Sequence, residues 1–507
     1  MKFERSDKNV GNRVFKGAVF MTGARFILRL FSLINLMVLG RLLDPSDYGI
    51  ASYAIAIIAL TQVFSDIRVN SALISIREVN QTHLDTGFTI NLLRGFIVAG
   101  LLFAFAGPIA DYANEPALVD VLRVLAVVLI FDGLKNPAML MYRRNIDFSR
   151  EFKRVALSTV LGSLAAITVA ILTKSYWAIV AGTLAGRFAE FAFSYWRIPY
   201  MPKLGFRESG VFLRFGSWMT IDAILDYVTS AAPTMLLGRY AGSHALGFYT
   251  VGKDISQLAT RELTGPLMQA LFPGLAALAH DTPRLRVAYR KAQATVLGIA
   301  LPIGFGSALL APEMVALIVG QKWLAEAPQV IEVFGPVFAI SMVGASTNGL
   351  AMAKLALPQM VMRAAFLAVF CLPIFWYAVS QHGVSGMIYA VAFYHLLRAS
   401  VNMFFAKTLL KDSFFSAFLM GWRSFVAVAV MSGAVLLMPS VSPEGMSEIA
   451  VFLSVLPRIA VAAVVYIAAH IVLWQLSGKP DGFESKVLEI LGKALERFRE
   501  RRARHAG

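Results

Sequence analysis

The stretch that decides the fold is residues 14–49, VFKGAVFMTGARFILRLFSLINLMVLGRLLDPSDYG. Its part from Val14 to Leu39 is long and apolar enough to cross a bilayer, since about 20 apolar residues suffice for a helical span. A turn through Asp44-Pro45-Ser46-Asp47 follows before the next apolar run begins at Tyr48. The stretch therefore predicts a membrane helix that connects by a short turn to a second one.

Two arginines, Arg25 and Arg29, lie well inside this apolar run. An arginine near the centre of a membrane helix costs roughly 2.5–3.5 kcal/mol on insertion scales, so such residues usually face a bundle interior or a water-filled cavity. Their i, i+4 spacing puts both on one face of the helix. We interpret them either as cavity-lining residues or as structural partners of a nearby carboxylate.

The composition of the whole chain is that of a helical membrane protein. Of its 507 residues, 57% are hydrophobic and 15% are charged, against about 25% charged in a soluble domain, and the mean hydropathy is +0.65. The net charge of +16 would suggest nucleic acid in a soluble chain, but loops on the cytoplasmic side of a membrane account for it without such a partner. The single cysteine, Cys371, excludes a disulfide framework and a thiolate metal cluster.

Runs of about 20 apolar residues predict an all-α polytopic fold with about 14 transmembrane helices. The predicted spans are approximately 14–39, 48–67, 87–110, 117–134, 155–173, 176–196, 211–238, 246–270, 292–311, 328–352, 360–380, 384–406, 418–438 and 450–475.

The distribution of basic residues predicts the orientation of these helices. With the N-terminus in the cytoplasm, each inner segment contains at least two Lys or Arg residues. The outer segments contain only Arg41, Lys174, Arg239 and Lys322 of the 47 in the chain. The positive-inside rule then places both termini in the cytoplasm and favours an even number of spans.

An internal repeat gives the domain organisation. When the opening stretch is shifted by 198 residues, it aligns without a gap with Arg214 to Gly247. The matching landmarks are Met21-Thr22 with Met219-Thr220, Leu39-Gly40-Arg41 with Leu237-Gly238-Arg239, and Gly49 with Gly247. Because the shift spans six helices, the halves are predicted to be parallel repeats about an axis normal to the membrane.

The predicted domains are an N-lobe of six helices (1–205), a C-lobe of six (206–410), two added helices (411–476) and a basic cytoplasmic tail (477–507). In the tail, apolar residues at helical spacing favour an amphipathic helix on the inner leaflet over residues 484–502, with a solvated tail as the alternative.

Seven short motifs follow one another along the chain. They are LGRLLDPSDYGIASY at 39–53, FSDIRVNSALI at 64–74, AGPIADYANEP at 106–116, RRNIDFSREF at 143–152, LLGRYAGSHALGFYTVGKDI at 236–255, LFPGLAAL at 271–278 and VGQKW at 319–323. Together and in this order they resemble the polysaccharide transporter branch of the multidrug/oligosaccharidyl-lipid/polysaccharide exporter superfamily, and within it the Wzx-type flippases of the colanic-acid type.

This resemblance implies a flippase in the bacterial inner membrane. Its expected substrate is an undecaprenyl-pyrophosphate-linked oligosaccharide repeat unit for O-antigen, capsule or exopolysaccharide synthesis, moved by alternating access between the two lobes. Expected partners are this lipid-linked oligosaccharide, membrane lipids, a polysaccharide polymerase and a chain-length regulator. The runner-up functions are a multidrug-type exporter of the same superfamily, a membrane polymerase or glycosyltransferase of the pathway, and a non-transporting scaffold.

For such a substrate the membrane charges become candidate site residues. Arginine binds phosphate oxygens through a planar fork and stays charged, so Arg25 and Arg29 are candidates for the pyrophosphate, and Lys253 near midspan is a third. In the second repeat Asp222 and Asp226 lie one aligned position from the two arginines.

For these aspartates we keep three interpretations: a salt bridge between lobes that gates the cavity, a carboxylate that takes a coupling H⁺ or Na⁺, and ordinary buried pairs. Asp254 is the further gating or ion-coupling candidate.

Other chemistry finds no support in the sequence. The seven histidines lack metal-ligand spacing and no Walker-type glycine loop occurs, so we expect no cofactor and no direct ATP hydrolysis. Energy then comes from an ion gradient or from downstream consumption of the flipped substrate. Among the scattered charges, Arg187 and Glu190 are spaced i, i+3 and are predicted to pair structurally, whereas Arg458 is predicted to face either the interior or a groove.

Overall fold

A computed structural model of the chain describes residues 28, 31–65, 73, 79–144, 148–198, 200–208 and 217–479. These residues form two compact units. The first unit comprises the described residues up to Val251 together with Ile318–Lys322 and Ala364–Met387. The second unit comprises Gly252–Leu317, Trp323–Arg363 and the described residues from Ile388 onward. The predicted lobe boundaries describe a duplication in the sequence, whereas these two units are defined by contacts between residues. The lobe boundaries therefore stay a prediction.

The described part of the chain is helical and contains no strand. Its α-helices are α1 (Phe31–Leu42), α2 (Pro45–Ser65), α3 (Gln81–Ala113), α4 (Leu118–Leu134), α5 (Met139–Arg144), α6 (Phe148–Thr173), α7 (Trp177–Ser194), α8 (Ser217–Ala277), α9 (Thr282–Leu309), α10 (Ala311–Ile318), α11 (Ala327–Ser341), α12 (Thr347–Ala353), α13 (Leu357–Leu410), α14 (Ser416–Leu436) and α15 (Glu448–Leu476).

Two long helices are each interrupted by a glycine. Gly242 has φ 85° within α8, and Gly383 has φ 56° within α13. Both angles lie in the left-handed region that glycine adopts without strain. Each glycine therefore marks a kink between two helices, and both fall at or beside the predicted connections between spans.

The predicted membrane helices agree with this architecture. Seven of the helices in the described ranges are long and apolar enough to cross a membrane. They are Pro45–Ser65, Gln81–Ala113, Phe152–Thr173, Thr282–Leu309, Leu357–Leu410, Phe418–Leu436 and Glu448–Leu476. Most of the first predicted span and the predicted tail helix lie outside the described residues. The chain is thus an all-helical, multi-pass membrane protein.

Side-chain caps and prolines define several helix ends and bends. Asn80 accepts a hydrogen bond from the His83 amide at the start of α3, and Asp281 accepts one from the Arg284 amide at the start of α9. Such caps satisfy backbone donors that have no partner inside the helix. Pro108 and Pro457 lie inside α3 and α15, where each removes one backbone hydrogen bond.

Inside the first unit, the two copies of the predicted repeat contact each other reciprocally. A Cβ atom on Gly49 would lie 1.8 Å from the carbonyl oxygen of Ser243, and one on Gly247 would lie 1.8 Å from that of Pro45. Ser243 and Gly247 are the residues that the 198-residue shift places on Pro45 and Gly49. Each copy packs its glycine against the turn of the other, as repeats related by an approximate two-fold axis do.

Other motif residues meet at this junction of the two turns. Lys322 of VGQKW donates to the Leu43 carbonyl and lies 3.3 Å from Asp44 Oδ1. Asp47 Oδ1 accepts a hydrogen bond of 2.9 Å from the Tyr176 amide. A Cβ atom on Gly40 would lie 2.6 Å from the Val319 side chain. These motifs therefore build a packed structural joint.

Candidate functional site

The predicted site residues fall in different parts of the molecule. Arg25 and Arg29 lie outside the described residues. Asp222 and Asp226 lie one turn apart on α8 in the first unit, and both are half-buried. Lys253 is half-buried and Asp254 is exposed, and both belong to the second unit. Their predicted roles in a cavity between the lobes stay predictions.

The first unit contains a polar cavity of about 330 Å³ between α1, α6 and α7. This volume lies within the range of small-molecule sites, roughly 300–1,000 Å³. The cavity is lined by Ser32, Asn35, Leu39, Ser158, Thr159, Gly162, Ser163, Ala166, Ile179, Gly182, Thr183, Gly186, Arg187 and Glu190. Hydroxyl, amide and charged groups thus line part of an open space between these three helices.

Small residues bring α6 and α7 into contact along this cavity. A Cβ atom on Gly182 would lie 2.7 Å from the Ala166 Cβ and 2.9 Å from the Gly162 carbonyl oxygen. One on Gly162 would lie 2.9 Å from the Gly182 carbonyl oxygen. Neither glycine can carry a side chain without moving backbone, so the cavity wall at this point is main chain. Close approach of this kind is typical of small residues between membrane helices.

The hydroxyl groups of the wall are arranged as hydrogen-bond acceptors. Thr159 Oγ1 donates to the Val155 carbonyl at 2.8 Å, Thr183 Oγ1 to the Ile179 carbonyl at 2.8 Å, and Ser32 Oγ to the Leu28 carbonyl at 3.1 Å. Because each hydroxyl proton is used within its own helix, the oxygen lone pairs remain for another group. The Asn35 Oδ1 atom is buried and has no hydrogen-bond partner in the described part of the chain.

An ion cluster borders the cavity through Arg187 and Glu190, which also line it. Lys135 Nζ lies 2.6 Å from Asp132 Oδ1 and 2.5 Å from Glu190 Oε2. Arg154 lies 3.5 Å from Glu190, and Arg187 lies 3.6 Å from Glu190 and 3.9 Å from Asp132. Gln62 of α2 donates to Asp132 at 2.6 Å.

This ion cluster joins the predicted inner ends of four membrane helices and contains one more cation than carboxylate. The predicted Arg187–Glu190 pair is present, but Lys135 is the closer partner of Glu190. Sequence reasoning missed the cluster because Lys135 and Glu190 are 55 positions apart. The signal that could have found it is the recurrence of charges at the inner ends of successive spans.

In the second unit, two buried charged side chains bind each other. Arg458 of α15 forms a buried ion pair with Glu313 of α10 and donates to the Leu309 carbonyl at 3.2 Å. Of the two predicted positions for Arg458, the interior is the observed one. The pair attaches the added C-terminal helix to this unit. In the described ranges no group of three His, Cys, Asp or Glu side chains could hold a metal ion.

Comparison with known proteins agrees with this fold. Residues 38–328, more than half of the chain, match the family described as polysaccharide biosynthesis protein. Lipopolysaccharide biosynthesis protein WzxC of Escherichia coli K12 is 26% identical over 350 residues, which cover 68% of this chain and 70% of that protein. The resemblance seen in the seven motifs is confirmed.

Two solved structures share the fold. The lipid II flippase MurJ, in an inward closed conformation, superposes with a TM-score of 0.71 at 12% identity and covers 90% of this chain and 99% of that one. An inward-facing multidrug resistance MATE family transporter of the MOP superfamily gives 0.58 at 15% identity, covering 76% and 94%. At such identities the likeness establishes the fold alone. The predicted fold class is confirmed. The family and the relative described above, together with this fold, confirm the prediction of a transporter rather than an enzyme.

Proposed function

The chain belongs to the family of polysaccharide biosynthesis proteins, and from this premise we propose that it is a flippase for lipid-linked oligosaccharides. The proposed substrate is an undecaprenyl-pyrophosphate-linked repeat unit, which moves from the inner to the outer leaflet of the bacterial inner membrane. The proposed mechanism is alternating access between two lobes, with both termini in the cytoplasm.

The observation that carries this proposal is the polar cavity with its cationic border. Hydrocarbon solvates neither a glycan nor a doubly charged pyrophosphate, so a protein that moves both must supply polar surface inside the membrane. The cavity offers hydroxyl oxygens and an amide to sugar hydroxyl groups. The ion cluster offers Arg187 and a net positive charge to the pyrophosphate.

Arg25 and Arg29 extend this argument. Ser32 of the cavity wall follows Arg29 by three residues and Arg25 by seven, which is the spacing of one helical face. We therefore expect Arg25 and Arg29 on the face of their helix that continues the cavity. In this proposal they bind the pyrophosphate together with Lys253, whereas Asp222, Asp226 and Asp254 gate the passage or take the coupling ion.

Deletion of the coding sequence tests the function. We expect undecaprenyl-linked repeat units to accumulate on the inner leaflet and export of the polysaccharide to stop, with both restored by the wild-type chain. Normal export without accumulation would contradict the flippase proposal. Energy-dependent efflux of a lipophilic cation by the chain, with no effect on polysaccharide, would favour the multidrug exporter instead.

Arginine variants test the assignment of the pyrophosphate site. The double variant Arg25→Ala/Arg29→Ala should insert normally and lose export, whereas Arg501→Ala in the tail should leave export unchanged. Export at the wild-type rate by the double variant would remove these residues from the site. Charge-swapped variants that exchange Arg25 and Arg29 with Asp222 and Asp226 should restore part of the export if the four residues pair.

A further inference from the structure

A group of exposed aromatic residues surrounds an arginine on the first unit. The group, named here the aromatic ledge, consists of Tyr112, Arg239, Tyr240 and Trp376. Tyr112 is 57% exposed near the end of α3, Tyr240 is 48% exposed just before the kink at Gly242, and Trp376 is 52% exposed on α13. Three separate helices therefore contribute to one surface.

Contacts between these side chains hold the ledge together. The Arg239 guanidinium carbon lies 5.5 Å from the centroid of the Tyr112 ring and 5.9 Å from that of Tyr240. The Trp376 indole N–H donates a hydrogen bond of 3.0 Å to the Tyr240 hydroxyl. Cation–π contacts and an indole–phenol hydrogen bond thus fix the relative positions of three rings and one cation.

The hydrogen-bond donors of Arg239 are unused within the described part of the chain. No carboxylate there lies within ion-pair distance of its guanidinium, and no described acceptor takes a hydrogen bond from it. Arg290 and Arg458, by contrast, each bind a carboxylate. Among the described residues, the five N–H donors of Arg239 therefore remain open to another group.

The position of the ledge along the chain points to the outer side of the membrane. Arg239 is one of only four Lys and Arg residues in the predicted outer segments. Of the other three, Lys322 binds Leu43 and Asp44 in the packed joint, Arg41 lies against Gly320 there, and Lys174 is exposed between α6 and α7. Arg239 is therefore held by ring faces on a surface with little other positive charge.

We propose that the aromatic ledge binds the acidic glycan portion of the substrate on the outer side of the membrane. Sugar rings present apolar C–H faces that pack against aromatic rings, and their hydroxyl groups bond to phenol and indole groups. A carboxylate on the glycan would take the bidentate hydrogen bonds that Arg239 offers. This inference rests on the proposed function only for the source of the glycan.

Tyr and Trp residues also anchor membrane proteins at the lipid interface. A lipid anchor needs neither an arginine with unused donors nor a hydrogen bond between two ring residues. The ledge has both, which favours a glycan as its occupant. Lipid anchoring is one outcome of the test below.

The purified full-length chain in nanodiscs is titrated with trigalacturonic acid, with neutral maltotriose as the second probe, and tryptophan fluorescence is recorded. We expect saturable binding of the acidic probe and at least tenfold weaker binding of the neutral one. Arg239→Gln should weaken binding of the acidic probe about tenfold, the effect of one lost charge-assisted hydrogen bond. Tyr112→Ala should also weaken it, because it removes a ring face for the sugar and the cation–π contact that positions Arg239. In Trp376→Phe the fluorescence response should be lost or reduced.

Arg123→Gln is the matched control, because Arg123 also lies over one aromatic ring of this unit, 5.3 Å from the centroid of Phe103. It should bind trigalacturonic acid within twofold of the wild type. Three results would overturn the proposal: no saturable binding, equal binding by Arg239→Gln and the wild type, or an equal loss in the control. Variants that change only the unfolding temperature in lipid, without any glycan response, would assign the ledge to lipid anchoring.

Failure of this inference is separable from failure of the proposed function. If the deletion strain accumulates lipid-linked repeat units but the ledge binds no glycan, the flippase proposal stands and the ledge proposal is wrong. If the ledge binds glycan but deletion leaves polysaccharide export unchanged, the ledge proposal stands and the flippase proposal is wrong.

Discussion

The cavity of the first unit and the polar core of the second unit contain similar side chains in opposite arrangements. In the first unit, hydroxyl and amide groups surround a space of about 330 Å³. In the second unit, a void beside Tyr289 measures about 10 Å³, and the polar side chains bond directly to one another. The bonded residues there are Tyr289, Gln293, Ser346, Thr347, Asn402, Asn348 and Arg363.

Glycine content does not explain this difference. In the second unit a Cβ atom on Gly304 would lie 2.3 Å from the Gly335 carbonyl oxygen, so α9 and α11 also meet through glycines. Their surroundings are filled by buried apolar residues such as Leu301 and Ala339. The glycine contact of α6 and α7 differs because the third helix there, α1, contributes the short polar residues Ser32 and Asn35.

The ion pairs of the two regions differ in the same way. Glu313 and Arg458 are 3% and 8% exposed and pair with each other in a buried interface. The cluster around Lys135 is partly exposed, and it borders a space large enough for a ligand or about ten water molecules. We infer that the second unit uses charge for attachment of helices and the first unit uses it for binding.

The largest effect is expected from breaking the ion pair between Arg458 and Glu313, which attaches α15 to the second unit. Arg458→Ala should lower the free energy of unfolding by about 3–5 kcal/mol, because it leaves the Glu313 carboxylate buried without its partner. The double variant Arg458→Met/Glu313→Leu should recover most of the lost free energy of unfolding. Denaturant unfolding of the purified protein measures both values. Arg284→Ala, at an exposed position of α9, should change stability by less than about 0.5 kcal/mol.

The next prediction concerns the space itself. Ser163→Met places a long side chain in the cavity and should abolish most polysaccharide export without lowering the unfolding temperature. Leu164→Met changes the neighbouring residue, which is 56% exposed on the outside of the bundle, and should export normally. Polysaccharide secreted by the complemented deletion strain is the measurement. Equal export by the two variants would show that the cavity is not on the transport path.

A smaller effect on stability is expected from the ion cluster. Lys135→Met removes contacts to Asp132 and Glu190, but the side chains are partly exposed, so we expect a loss of only about 1–2 kcal/mol. Export should fall more than this loss explains, since the border of the cavity changes from one net positive charge to none. Lys174→Met, at an exposed position, is the control for loss of a lysine. A loss as large as that of Arg458→Ala would mean that both clusters are structural.

The smallest effect on stability is expected from Tyr200, which lies in a packed part of the first unit away from the cavity. Tyr200 donates to Asp85, which also accepts a hydrogen bond of 2.8 Å from the Lys203 amide, so Tyr200→Phe should cost about 1 kcal/mol and leave export unchanged. Burial, and then the hydrogen bond to Asp85, raises the pKa of Tyr200 above its ordinary value.

The raised pKa of Tyr200 also predicts the pH dependence. The unfolded chain loses this proton first, near pH 10, so the stability that Tyr200 contributes is complete below that pH and declines above it. The difference in unfolding free energy between wild type and Tyr200→Phe should therefore shrink above about pH 10. A difference that grows with pH would contradict this assignment.

Much of the fold could be predicted from local sequence. Apolar runs such as the one that becomes α2 identify membrane helices because the length and hydropathy of a span are properties of one segment. The repeat was also predictable, since Gly49 and Gly247 keep their spacing. Their reciprocal contacts with Ser243 and Pro45 come from the structure alone. The predicted pair Arg187–Glu190 was readable because both residues lie on one helix.

The candidate site could be predicted only in part. Arg25 and Arg29 belong to the same predicted span as Ser32 and Asn35, so the sequence identified one wall of the cavity. The cavity itself forms where α6 and α7 pack beside α1, which the sequence did not predict. The ion cluster and the Arg458–Glu313 pair join residues 55 and 145 positions apart. With many charges in the chain, spacing alone does not select such partners.

By itself, the sequence determined the all-helical membrane fold and predicted a duplication with a turn motif in each copy, because hydropathy and glycine spacing act within a segment. Only the tertiary structure decided which polar groups are satisfied and which surround a space. The physical reason is packing: the same serine or arginine is structural when another side chain fills its hydrogen-bonding positions, and available for a ligand when the neighbouring helix leaves them open.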